Sequence, residues 1–116
     1  MRHGSKKKIL NMNSAHRASV LKNLALSLLQ CGKINTTMAK AKVLRSYIEK
    51  MITLAKNGDG LATKKMLIAR LNEDGKDKLY ELAEKFKDRK GGYTRVIKTW
   101  TRSGDRALTG RIEFVD

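Results

Sequence analysis

KINTTMAKAKVLRSYIEKMITLAKNGDG, residues 33–60, decides the fold class, because the rhythm of its apolar residues changes part-way through. In KINTT, Ile34 and Thr36 alternate at the two-residue spacing of a short strand. Thr37 then stands where a side-chain oxygen can accept from the first turn of a helix. Beyond it Ala41, Leu44, Ile48, Met51, Ile52 and Ala55 recur every three or four residues, one apolar stripe along a helix that Asn57-Gly58 stops.

Upstream, Asn13 or Ser14 is placed to cap a helix carrying Ala18, Leu21, Leu24, Ala25, Leu28 and Leu29, and Gly32 closes it. Downstream, Leu61 to Leu71 reads as a shorter helix. Another starts near residue 73, with Leu79, Leu82, Ala83 and Phe86 as its stripe. Its acids come early and its bases late, matching the helix dipole. Residues 93–100 and 108–115 are rich in Thr, Val, Ile and aromatics, and TRSGDRA between them is turn-like, so they read as two strands. Ile112 and Phe114 share a parity with Gly110, which gives one buried face. The expected class is α+β, with about four helices and a small three-stranded sheet (33–37, 93–100 and 108–115). A basic arm, residues 1–12, precedes a single domain, residues 13–116; no proline, repeat or low-complexity linker divides the latter.

Charge narrows the function. Twenty-six Lys and Arg stand against eleven Asp and Glu in 116 residues, a net charge of +15. Residues 1–57 hold twelve of the bases and one acid, Glu49. Such a field makes the compact state repel itself, so a polyanionic partner is the economical explanation. No apolar run reaches the roughly eighteen residues of a membrane span, and several elements can bury one another, so no membrane partner is expected. The apolar stretch after the arm is broken by Lys22 and Asn23, which removes a secretory signal. Composition alone leaves an organellar transit peptide open.

Catalytic and metal constellations are not found. His3, His16 and Cys31 lack ligand spacing, and a single cysteine forms no intrachain disulfide; Cys31 is expected to be a small buried filler. Gly58 and Gly60 begin a dinucleotide-binding pattern, but Thr63 fills its last glycine position and a helix precedes it. Asp77, Glu81 and Glu84 read as a solvated helix face, with Asp74/Lys78 and Glu81/Lys85 spaced for pairing. No enzyme, metal, cofactor or small-molecule substrate is expected.

What remains is a basic surface on folded elements. Lys40, Lys42, Arg45, Lys50 and Lys56 lie opposite the apolar stripe of the central helix. Ordinary solvated faces mix signs; this one barely does. Arg95, Lys98, Arg102, Arg106 and Arg111 recur in the C-terminal strands among Ser, Thr and Gly, the set that contacts phosphate and sugar. Tyr93 and Trp100 are candidates for stacking on bases and equally for core packing, whereas Phe86 and Phe114 are assigned to the core. Nucleic acid leads; charge alone does not separate RNA from DNA, and a nucleoid-type DNA-binding protein stays as a rival.

Specific residues then point to one family. Met1-Arg2-His3, Leu10-Asn11 and His16-Arg17 open the chain; Ile34, Thr36-Thr37, Lys40-Ala41-Lys42, Leu44-Arg45, Glu49 and ITLAK at 52–56 follow. GGYTR at 91–95, Gly104-Asp105 and Ile112-Glu113 complete the order. With these matches the chain resembles the bacterial-type large-subunit ribosomal protein L-seventeen family along essentially its whole length. It departs at Asn35 and Met38-Ala39, and residues 58–88 follow no specific motif. The resemblance implies an α+β protein bound to large-subunit ribosomal RNA on the solvent side near the polypeptide exit tunnel, beside neighbouring large-subunit ribosomal proteins. It implies a bacterial cytoplasm, or an organelle encoding its own copy. Its pattern starts at Met1, which leaves no room for a presequence.

Charge and resemblance together give the expected RNA-binding set. The arm supplies Arg2, His3, Lys6, Lys7, Lys8 and Asn11, and is expected to order on RNA. The first two helices supply His16, Arg17, Lys40, Lys42 and Arg45, their N-termini adding backbone donors for phosphate. The sheet side supplies Tyr93, Thr94, Arg95, Arg102 and Arg106. The acidic stretch from Asp77 to Glu84 is expected to face away.

Overall fold

A computed structural model of the chain describes residues 10–58 and 60–115. The elements are α1 (Ser14–Cys31), β1 (Lys33–Thr37), α2 (Met38–Asn57), α3 (Leu61–Arg70), α4 (Glu73–Lys85), β2 (Thr94–Thr101) and β3 (Leu108–Phe114). This is the α+β architecture that the apolar spacing predicts.

Packing centres on α2, which touches every other element. Its expected stripe, Ala41, Leu44, Ile48, Met51, Ile52 and Ala55, is buried in full. Burying one Leu or Ile is worth about 1.5–3 kcal/mol over leaving it exposed, so turning α2 by one residue would forfeit several such increments. Thr37 caps it, its hydroxyl accepting from the Lys40 N–H at 3.4 Å.

At the start of α1 the Asn13 side chain accepts from the His16 N–H at 2.8 Å. Gly32 ends the helix at φ 81°, a left-handed turn that glycine adopts without a Cβ clash, and its N–H donates to the Leu28 carbonyl. Only the second half of the expected stripe is covered: Ala25, Leu28 and Leu29 are buried, Leu21 and Leu24 half-buried, Ala18 exposed. The first turns of α1 therefore run out beyond the core. Cys31 is exposed, not the buried filler its apolar context suggests. It stands two residues past Leu29, about 200° round the helix from it.

The sheet has the order β1-β3-β2, antiparallel throughout. Ile34, Ile112 and Val96 form one cross-strand row facing the helices. Gly110 lies in the next row, where a Cβ would strike the Met38 side chain and come within 3.3 Å of the Ile97 carbonyl. Glycine there lets the first residue of α2 lie against the sheet. The register places Lys33, Asn35, Arg95, Ile97, Arg111 and Glu113 on the opposite face. The last two strands lie one residue from the sequence expectation. Tyr93 and Val115 sit just outside the ladder, joined by a Val115 N–H to Tyr93 carbonyl bond of 3.0 Å.

On α4, Asn72 caps the helix through the Gly75 N–H at 2.7 Å. Leu79, Ala83 and Phe86 are buried as expected, whereas Leu82 and Phe114 are half-buried. The charges of α4 pair differently from the i, i+4 expectation. Lys76 reaches Asp77 at 3.5 Å and Lys78 reaches Glu81 at 4.0 Å.

Candidate nucleic-acid interface

Five of the expected contacts, Arg2, His3, Lys6, Lys7 and Lys8, lie outside the described residues. Asn11 is exposed and takes a left-handed φ of 56°, just before the Asn13 cap. His16 is exposed on the first turn of α1. Arg17 folds back so that its guanidinium donates to the Met12 carbonyl at 3.3 Å. These three residues cluster at one helix end. That end has free-pointing N–H groups and no acidic residue in its first turn, an arrangement suited to phosphate.

On α2, Lys40 is half-buried beside its cap, while Lys42 and Arg45 are exposed. Glu49, the lone acid among residues 1–57, turns toward the sheet. One of its carboxylate oxygens accepts from both the N–H and the hydroxyl of Thr94, at 3.2 and 2.9 Å, and lies 3.8 Å from Arg45 Nε. Apart from that pairing with Arg45, the outward side of α2 carries cations. Lys42, Arg45, Ser46 and Glu49 line a groove of about 500 Å³ between α2 and strand β2, floored by Met38 and Val96. Lys98 stands on the same side of β2 as Val96, two residues along. A groove walled by Lys42 and Arg45 suits a phosphate backbone, with Ser46 as a neutral donor.

Two residues of the expected set are enclosed by the packing. Tyr93 is 1% exposed, its ring 5.3 Å from that of Phe86 and beneath the Lys56 ammonium, so neither face is open to a base. Lys56 also donates to the Tyr93 hydroxyl at 3.0 Å, which holds that hydroxyl below its ordinary range despite burial. Thr94 is 4% exposed and committed to Glu49. Both residues tie β2 to α2.

The arginines of the sheet side differ from one another. Arg95 is exposed and reaches Glu113 across the strands at 3.4 Å. Arg102 spends its guanidinium fork on Asp105, at 3.0 and 2.6 Å, and so braces the hairpin loop. That pairing, with the Ala107 N–H, holds the Asp105 carboxyl well below the usual carboxylate range. Arg106 is exposed at φ 55° and carries the positive charge of the tip. Sequence reasoning left Trp100 undecided; it is 69% exposed. The break in β2 pairing between Lys98 and Thr101 turns it out of the alternation, a signal that residue spacing does not carry.

Among the described residues no group of three His, Cys, Asp or Glu is placed to hold a metal ion. Among them, too, no helix is long and apolar enough to cross a membrane.

Comparison with known proteins adds what geometry leaves open. The family model for Ribosomal protein L17 matches residues 20–115. The chain belongs to the ribosomal protein L17 family. It is 50% identical over 119 aligned positions to the large ribosomal subunit protein bL17 of Wolbachia pipientis subsp. Culex pipiens, covering all of this chain and 84% of that one. It is 48% identical to the protein of that name from Campylobacter jejuni subsp. doylei, covering 99% of each chain. The Campylobacter lari protein is likewise 48% identical, over 98% of this chain and 97% of its own. Ribosomal protein L17 is a family of structural, non-enzymatic ribosomal components. The L17 match spans every strand and helix that carries the cationic groove and the hairpin tip.

Proposed function

We propose that this chain is a structural component of the large ribosomal subunit that binds large-subunit ribosomal RNA, in the cytoplasm, near the polypeptide exit tunnel on the solvent side. Neighbouring large-subunit proteins flank it, and it acts on no substrate. The basic arm grips phosphates through Arg2, Lys6, Lys7 and Lys8, with His3 and Asn11 beside them. The N-terminus of α1 with His16 and Arg17, the α2 face with Lys40, Lys42 and Arg45, and the sheet side with Arg95 and Arg106 continue the footprint.

One observation carries the reading. The only acid in the first 57 residues bonds inward to Thr94 while also pairing with Arg45 at 3.8 Å, so a single carboxylate stands against the several cations of the α2 face. A surface so dominated by one sign repels itself and favours a polyanionic partner. The relatives' printed name, large ribosomal subunit protein, supports RNA of that subunit as the polyanion.

Each phosphate neutralised contributes about 0.7–0.9 to the slope of log affinity against log salt. Deleting residues 2–8 removes four cations, so the slope for deproteinised large-subunit RNA should shrink by about 3. An unchanged slope would contradict the arm's role.

A further inference from the structure

The tip of the β2–β3 hairpin presents an aromatic face that the fold itself does not use. Trp100 is 69% exposed and stands outside the apolar cluster that every helix and strand joins. Its backbone is nonetheless held firmly. The Thr109 hydroxyl donates to the Trp100 carbonyl and shares a second hydrogen bond, of 2.7 Å, with the Thr99 hydroxyl. Below it the loop is closed by Arg102 N–H to the Ala107 carbonyl at 2.9 Å and Arg106 N–H to the Arg102 carbonyl at 2.8 Å. The Arg102–Asp105 fork locks the same loop.

A rigid support under an uncovered indole loses little conformational freedom when a flat partner settles on it. The surroundings select the partner. Leu108 is the one other large apolar residue exposed on the hairpin, and Lys98, Thr101, Ser103 and Arg106 of the same hairpin are exposed too. Arg102 is charge-compensated by Asp105, which leaves Lys98 and Arg106 as the net charge of the tip. An apolar seat for another protein would need a wider, less charged patch. An aromatic face on a hairpin that also carries exposed cations suits a nucleobase whose flanking phosphates meet the cations.

We propose that Trp100 stacks on an unpaired base of the RNA, with Arg106 and Lys98 on the adjoining phosphates. This rests on the RNA-binding reading above and assigns it a base contact. It also makes the hairpin tip a reader of unpaired RNA, since a base within a duplex presents no free face.

Trp100 is the only tryptophan in the chain, so its fluorescence reports this one site. The intact chain is titrated with deproteinised large-subunit ribosomal RNA, emission and filter retention being read together. Emission should be quenched in step with retention, and a fully paired RNA duplex should leave it unquenched. W100A should weaken binding about 5- to 150-fold at fixed salt, the range set by loss of one base stack. W100F should recover most of that loss, whereas W100L, apolar but without a π face, should not. All three variants should melt like the parent, because the side chain is largely in solvent. Retention without quenching, or full affinity in W100L, would overturn the stacking and leave the RNA-binding reading standing. No retention at any salt would overturn both.

Discussion

Glu49 shows how one side chain sets the sign of a surface. A carboxylate on the outer face of α2 would interrupt the cations beside it; bonded inward to Thr94, it instead satisfies two donors in a residue 4% exposed. Glu49→Ala orphans both donors, at a cost of about 1–3 kcal/mol. Chemical denaturation of the variant should show that loss, with the salt slope for RNA unchanged. Wild-type stability would mean that Glu49 does not hold Thr94. Asp105 makes a second residue-scale test. Its folded carboxyl is held below the usual range, so it favours the folded tip above the unfolded value of about 3.9. That contribution disappears as pH falls through the folded value. An NMR titration should find Asp105 still ionised where ordinary aspartates are protonated; titration near the ordinary value would break the Arg102 brace.

At the scale of elements, what was legible in the sequence depended on how local the cause was. The α2 stripe and its Thr37 cap could be read directly, since periodicity and capping are written within a few residues. So could the strand character of the last two strands, to within one residue at their outer ends. The fates of Tyr93 and Trp100 could not. Tyr93 is buried beneath Lys56, 37 residues away, and against Phe86 across the α4–β2 connection, and Trp100 is turned out by a register break that only pairing with β3 creates. The burial of Thr94 escapes sequence reasoning for the same reason, since its partner Glu49 lies 45 residues away. Helix α4 has an equally local cause in Asn72, whose side chain accepts from the Gly75 N–H at 2.7 Å. Asn72→Ala should cost about 1 kcal/mol. An unchanged unfolding midpoint would mean that the cap does not hold α4 in place.

Across the whole molecule, a single apolar cluster joins the four helices to a three-stranded sheet, and charge is sorted around it. The acids concentrate on α4, and the bases on α2, the hairpin and the arm. A protein whose surface is matched to ribosomal RNA should stay with that RNA under conditions that strip loosely held cations. The most direct measurement is gradient sedimentation of ribosomes from cells that make this chain, after a high-salt wash. The chain should travel with the large subunit, and its recovery as free protein at the top of the gradient would contradict the account.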